Sequence, residues 1–262
     1  MNTIQSAKEK LLVLRQSALI TNPAARVPIC LVLDASGSMD TVISGDYHKT
    51  GQKVTKDGAT YDIVEGQTVT RLDELNSGLD QFLRELLEDP QARLSAEVCV
   101  VAFADKAQEI FDFAPLTIEH LGTKIASCGG QTSIGSGVKL ALELLDRRKA
   151  EYQNAAVDYF QPWLVVITDG QPTDQTHLEA AADIRMRVQA RKLSVFAIAV
   201  GGVTDVSELA KISPARPPLR LKGTKFREFF EWLSKSVERV SGSIPGESVK
   251  LDTKGIDSWG EL

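Results

Sequence analysis

Four short apolar runs constrain this chain more than any other feature: Val27–Leu33, Val98–Ala104, Leu164–Ile167 and Val195–Val200. None of them alternates polar with apolar. A strand with one wet face does alternate, so a continuous apolar run belongs to a strand covered on both sides, as in a parallel sheet between helices. The segments between the runs carry a 3.6-residue period. Leu72, Leu75, Leu79, Phe82, Leu83 and Leu86 form one such stripe, and Val138, Ala141, Leu142 and Leu145 another. Leu178–Val188 is predicted as a third helix, with Thr176 and Glu179 spaced as its capping box. Phe226, Phe229, Phe230, Leu233, Val237 and Val240 predict a fourth. Strands alternating with helices specify a doubly wound α/β fold: a mostly parallel central sheet with helices on both faces.

The margins of the sheet are also legible. Ala107–Phe113 follows the second apolar run after only a few residues, too few for a crossover helix, so it reads as an antiparallel edge strand. Leu219–Leu221, after Pro217-Pro218, reads as the other edge. Ile4, Ala7, Leu11, Leu14 and Ala18 predict a helical extension over residues 1–26, able to pack on the α/β domain of residues 27–241 or to dock a partner. Residues 242–262 are rich in Ser and Gly and read as a flexible tail. Between Asp40 and Val69 glycines recur at Gly45, Gly51, Gly58 and Gly66, with short β-prone runs between them. This is the pattern of a hairpin or three-stranded flap inserted into the domain. Trp259 is the large aromatic of the tail and a candidate anchor for a partner. His120 and His177 read as surface or helix-start residues.

Composition narrows the function. The 262 residues carry a net charge of −5, so no basic surface of the kind that binds nucleic acid is expected. No apolar run approaches the roughly 18 residues that span a bilayer, and Met1–Arg15 is too charged for a secretion signal, so a cytoplasmic protein is expected with no membrane partner. Three cysteines without a CxxC pair, Cys30, Cys99 and Cys128, suit neither a zinc site nor a disulfide framework.

The chemistry concentrates at Asp34-Ala35-Ser36-Gly37-Ser38, directly after the first apolar run. A carboxylate and two hydroxyls are hard oxygen donors, which suits Mg²⁺ or Mn²⁺. Thr132, after Gly129-Gly130, and Asp169, in Thr168-Asp169-Gly170, are placed to complete the donor set. In an open α/β sheet ligands sit beyond the carboxyl ends of the strands, and Asp34 and Asp169 each end a predicted strand.

These residues resemble the metal-ion-dependent adhesion site of von Willebrand factor A (VWA) domains, in which D-x-S-x-S, a later Thr after glycines, and T-D-G share one cation. The resemblance spans roughly residues 27–240. It implies direct coordination by Ser36, Ser38 and Thr132, and contact through water from Asp34 and Asp169. The cation would be Mg²⁺ or Mn²⁺, with Ca²⁺ possible, and its vacant position would take a partner's carboxylate. More narrowly, Leu31–Met39, Leu75-Asn76-Ser77-Gly78-Leu79, Asp89-Pro90-Gln91-Ala92, Gly129–Gly135 and Ile244-Pro245-Gly246-Glu247 are similar to TerY-type bacterial proteins of tellurite-resistance and stress loci. Members are typically encoded beside a PP2C-type phosphatase and a Ser/Thr kinase, a triad linked to stress response and phage defence. The resemblance therefore implies a non-enzymatic interaction protein that scaffolds those partners. The 40–69 insertion is longer than that family's link, and no zinc-ribbon cysteines follow the domain.

Two other functions compete on the residues alone. A metal-dependent phosphohydrolase also starts from a carboxylate at a strand end, but it needs a second carboxylate two residues on, where this chain has Ser36. Nucleotide binding fails because Gly129–Ser133 carries no phosphate-binding lysine.

Overall fold

The computed structural model describes residue 13 and residues 15–261, apart from 57, 58, 174, 204 and 248. Seven strands form one sheet in the order β5-β4-β1-β6-β7-β8-β9. They are β1 (Val27–Asp34), β4 (Ala96–Phe103), β5 (Ala107–Pro115), β6 (Trp163–Thr168), β7 (Ser194–Ala199), β8 (Leu219–Leu221) and β9 (Gly260–Glu261). β1 lies parallel between β4 and β6, and β6, β7 and β8 continue parallel. β5 is antiparallel to β4, as its short connection predicted.

Both faces of the sheet are covered, which is why its strands are apolar throughout. Ile29, Leu31 and Leu33 of β1 pack with α2 (Arg71–Glu88) and α7 (Phe226–Ser241). Cys30 and Val32 point the other way, towards α4 (Ile134–Asn154), α5 (Thr176–Gln189) and α6 (Ser207–Ile212). Successive side chains of a strand alternate between faces, so one run of eight buried residues feeds two cores. The short helix α3 (Pro90–Ser95) starts from an Asp89 cap whose carboxylate accepts from the N–H groups of Gln91 and Ala92.

The amino end of the sheet is tied by charge. Glu97 of β4 accepts from Arg148 Nε at 2.7 Å and Nη2 at 2.8 Å, and from Tyr152 Oη at 2.7 Å, with Arg26 Nε at 3.3 Å. All four residues are buried. Residue 13 and residues 15–21 form the described part of an N-terminal helix, α1. Arg15 fixes it to the domain through Asp112 and Glu151. The positions Ile4, Ala7, Leu11 and Leu14 of the expected extension lie outside the described residues.

The insertion is a two-stranded ribbon, β2 (Val42–Lys56) and β3 (Ala59–Thr70), and no third strand is present among the described residues. The ribbon runs straight into α2, where Thr70 and Asp73 form a reciprocal capping box. The box expected at Thr176 is not formed. Thr176 is the first helical residue of α5, Gln175 precedes it, and Glu179 pairs instead with Lys139 at 2.5 Å. His120 and His177 are buried rather than at the surface, although His177 does stand at a helix start, as the second residue of α5, against Glu208 at 2.7 Å.

The chain end departs most from expectation. Instead of a flexible tail, Ile256–Ser258 forms a 3₁₀ turn and β9 adds a second antiparallel edge by pairing with β8. Trp259 is buried against Phe229 and Trp232, and Trp232 Nε1 donates to the Asp252 carbonyl at 2.6 Å. Composition reports local polarity, and a few well-placed apolar residues were enough to order the segment. Among the described residues no helix is long and apolar enough to cross a membrane.

Candidate metal centre

From β1 the chain reaches its neighbours in opposite directions, β4 on one side and β6 on the other. Such a point, where the strand order reverses, opens a crevice at the carboxyl ends of the strands. Asp34 is the last residue of β1, and Asp169 directly follows β6. The loop after β1 is stitched into place by backbone bonds. Ala35 N donates to Phe103 O at 2.8 Å, and Cys128 N donates to Ala35 O at 2.9 Å. The second bond lays the 128–133 loop over the end of β1, and Ser133 N anchors that loop to Ala104 O at 2.9 Å.

The five residues singled out by their spacing are brought together here. Ser36 Oγ lies 3.1 Å from Ser38 Oγ, and Thr132 Oγ1 donates to Ser36 Oγ at 3.3 Å. Ser38 Oγ donates to Asp169 Oδ1 at 2.5 Å. Ser36 N and the Thr168 hydroxyl donate to the two oxygens of Asp34, at 2.8 and 2.6 Å. Thr132 is clamped to Thr173 through both its N–H and its carbonyl.

These spacings fit a small divalent cation. Metal–oxygen bonds of about 2.1 Å in an octahedron place neighbouring oxygens about 3.0 Å apart. The Ser36–Ser38 and Thr132–Ser36 separations are two such edges meeting at Ser36. Among the described residues no group of three or more His, Cys, Asp or Glu side chains is placed to hold a metal. The charge of this donor set therefore comes from two carboxylates, and hydroxyls supply the rest.

Electrostatics mark the pocket as one that wants positive charge. Burial pushes the Asp34 carboxyl up to about 6, hydrogen bonds from Ser36 and Thr168 oppose the rise, and the charge of Asp169 adds to it. Two buried carboxylates this close repel, and a cation between them relieves both the repulsion and the lost hydration.

Three further residues shape the site, and of these the sequence motif includes only Thr168, in Thr168-Asp169-Gly170. Thr168 has its hydroxyl on Asp34. Asp105, just after β4, accepts from Gln131 N at 2.7 Å. Its carboxyl fills the place where a Cβ at Gly130 would stand, 2.4 Å from Oδ2, and Gly130 has φ +73°, so this turn requires glycine. Arg71 places Nη1 2.6 Å from Asp169 Oδ2. Thr168 opens the T-D-G motif, and Asp105 carries only the local hint of following a predicted strand. Arg71 has none, because it lies beyond the ribbon.

The family model described as von Willebrand factor type A domain matches residues 68–231. That stretch holds Thr132 and Asp169 and begins at residue 68, near the end of β3, so Asp34, Ser36 and Ser38 stand outside it. Among curated proteins, none matches the sequence. Solved structures share the fold at low identity. The von Willebrand factor type A structure from Catenulispora acidiphila is 16% identical with a TM-score of 0.54, over 82% of this chain and 43% of that one. The conserved hypothetical protein BatB from Bacteroides thetaiotaomicron is 16% identical with a TM-score of 0.53, over 83% of this chain and all of its own. Proximal thread matrix protein 1 from the mussel byssus is 20% identical with a TM-score of 0.51, over 83% of this chain. The match covers 47% of the mussel protein, so this chain spans about half the length of that relative.

Proposed function

Because the chain belongs to the von Willebrand factor type A domain family, whose members are commonly metal-dependent protein-interaction modules, we propose that it binds a protein partner through a divalent cation. Ser36, Ser38 and Thr132 hold the cation, with Asp34 and Asp169 supplying charge behind them. The observation that carries this reading is the meeting of the Ser36, Ser38 and Thr132 hydroxyls from two separate loops, beside two carboxylates. The donor chemistry favours Mg²⁺ or Mn²⁺, with Ca²⁺ the larger and less well-fitting choice. A cation so held supplies Lewis-acid attraction for one outside carboxylate, and the surrounding surface supplies specificity.

The β2–β3 ribbon is part of that surface. It leaves the rim a few residues after Ser38 and exposes Tyr47 and Val54. On the resemblance to TerY-type proteins, the partners are a PP2C-type phosphatase and a Ser/Thr kinase of a bacterial stress or anti-phage response. A non-enzymatic role is supported by Asp34. Both its oxygens accept hydrogen bonds from the protein, which leaves it badly placed as a nucleophile for phosphoryl transfer.

Titration calorimetry with Mn²⁺ and Mg²⁺ tests the site. Wild-type protein should bind one ion, and Ser36→Ala/Thr132→Ala should lose at least tenfold in affinity while keeping its circular dichroism. Equal binding by the two proteins would remove the site from consideration. Capture of the phosphatase or kinase with Mg²⁺ but not with EDTA tests the partners separately.

A further inference from the structure

Asp169 divides its two oxygens. Oδ1 accepts from Ser38, and Oδ2 is held by Arg71 Nη1 at 2.6 Å. The Asp169 side chain is fully buried and that of Arg71 is 19% exposed, so water screens this pair weakly. Among the described residues Arg71 makes no other side-chain hydrogen bond, and its Nε is buried without a partner.

The guanidinium lies in a slot made for it. A Cβ at Gly201 would stand 2.7 Å from Arg71 Cζ and 2.9 Å from Nη1, so only glycine leaves the space. The backbone of Arg71 is fixed as well. It is the first residue of α2, and its N–H donates to Thr41 O at 3.1 Å, just past the Ser38 turn. Thus the chain carries its own positive charge to a carboxylate of the cation site.

We propose that Arg71 is a tethered cation that competes with the divalent ion for Asp169 and so sets the affinity of the site. This rests on the cation-site reading above. With Arg71 in place, the two carboxylates present a net charge of −1 to an incoming ion instead of −2. By linkage the competition is reciprocal: an ion that draws on Asp169 loosens Arg71, and withdrawal of Arg71 strengthens ion binding. A purely structural ion pair predicts the opposite, because its loss leaves the site less ordered and the ion bound no better.

The test is Mn²⁺ binding by calorimetry, with free Mn²⁺ followed independently by electron paramagnetic resonance. Arg71→Gln should bind about tenfold more tightly than wild type, ~1.4 kcal/mol, and Arg71→Lys should stay near wild type. Thermal melts in EDTA check that each variant folds. Equal or weaker binding by folded Arg71→Gln overturns the role of Arg71 while leaving the cation site standing. Absence of binding by wild type and variant alike overturns the site, and this inference with it. If Arg71→Gln does not fold, wild type decides. The Arg71 Nε–Hε resonance should move in step with diamagnetic Mg²⁺, and a resonance that stays fixed while Mg²⁺ binds overturns the competition.

Discussion

The Thr168 hydroxyl donates to Asp34 Oδ2 across 2.6 Å, joining the carboxyl ends of the neighbouring strands β6 and β1. Thr168 Oγ1 itself accepts from Gly170 N at 3.2 Å. One hydroxyl thereby sets the direction of a carboxylate on one strand and the turn that follows the other.

Thr168→Val keeps the shape of the side chain and removes both bonds. Leaving buried polar groups unpaired costs about 1–3 kcal/mol. Urea unfolding in EDTA should show that loss, and Mn²⁺ affinity should fall because Asp34 is no longer aimed. Thr168→Ser should recover most of both. Full stability in Thr168→Val would show that the bond orients nothing.

Asp34 predicts a pH dependence with an unusual sign. Its folded carboxyl is pushed up to about 6, chiefly by burial, against about 3.9 in an unfolded chain. Between those values the native chain holds a proton that the unfolded chain has released. The contribution of Asp34 to stability therefore falls as pH rises from about 4 to about 6 and is level above that, by about 3 kcal/mol at most. Asp34→Asn cannot ionise and should lack this slope. Paired carboxylates act in the other direction, notably Asp146, which Arg187 first and Lys149 second draw down to about 2. The quantity to measure is thus the difference between wild type and Asp34→Asn in EDTA, and a pH-independent difference would count against a raised carboxyl.

Gly135 is where α4 meets α5. A Cβ there would lie 2.2 Å from Thr176 Oγ1 and 2.3 Å from His177 N. Backbone does not yield as a flexible side chain does, so Gly135→Ala should destabilise by about 2–3 kcal/mol. Thr132 lies three residues upstream, in the loop that leads into α4, so the variant should also bind Mn²⁺ more weakly. Unchanged melting and unchanged binding together would mean that the two helix starts part easily.

Trp259 separates stability from function. Its ring lies 6.2 Å from Phe229 and 6.1 Å from Trp232, centroid to centroid, and its carbonyl accepts from Lys222 N at 2.9 Å. Trp259→Ala should cost about 3 kcal/mol and leave Mn²⁺ affinity within twofold of wild type. A melting temperature that did not move would restore the picture of a loose tail.

How much of this was legible beforehand depended on distance along the chain. Apolar runs such as Ile29–Leu33 are local, and burial on both faces follows from them directly. The antiparallel β5 followed from a connection too short for anything else. The capping box was wrongly expected at Thr176 because two residue types at the right spacing do not say where a helix begins. Here Gly135 presses against Thr176, and Glu179 finds Lys139. The tail was misjudged because Trp259 and Ile256 are few among polar neighbours, yet they land on the exposed edge of an apolar core.

The sequence by itself determined that a carboxylate and two hydroxyls end a buried strand, since Asp34, Ser36 and Ser38 lie within one turn of chain. It also determined, through the alternation of strand and helix, that such ends face a common rim. Only the tertiary structure decided what else arrives there. Placing β4 and β6 on opposite sides of β1 brings Thr132 to Ser36 over 96 residues and Asp169 to Ser38 over 131. It also brings Arg71 to Asp169 over 98. Local periodicity records which face a residue shows to the core. It does not record which distant charge will stand beside it, because that depends on the order of strands, and no single segment carries that order.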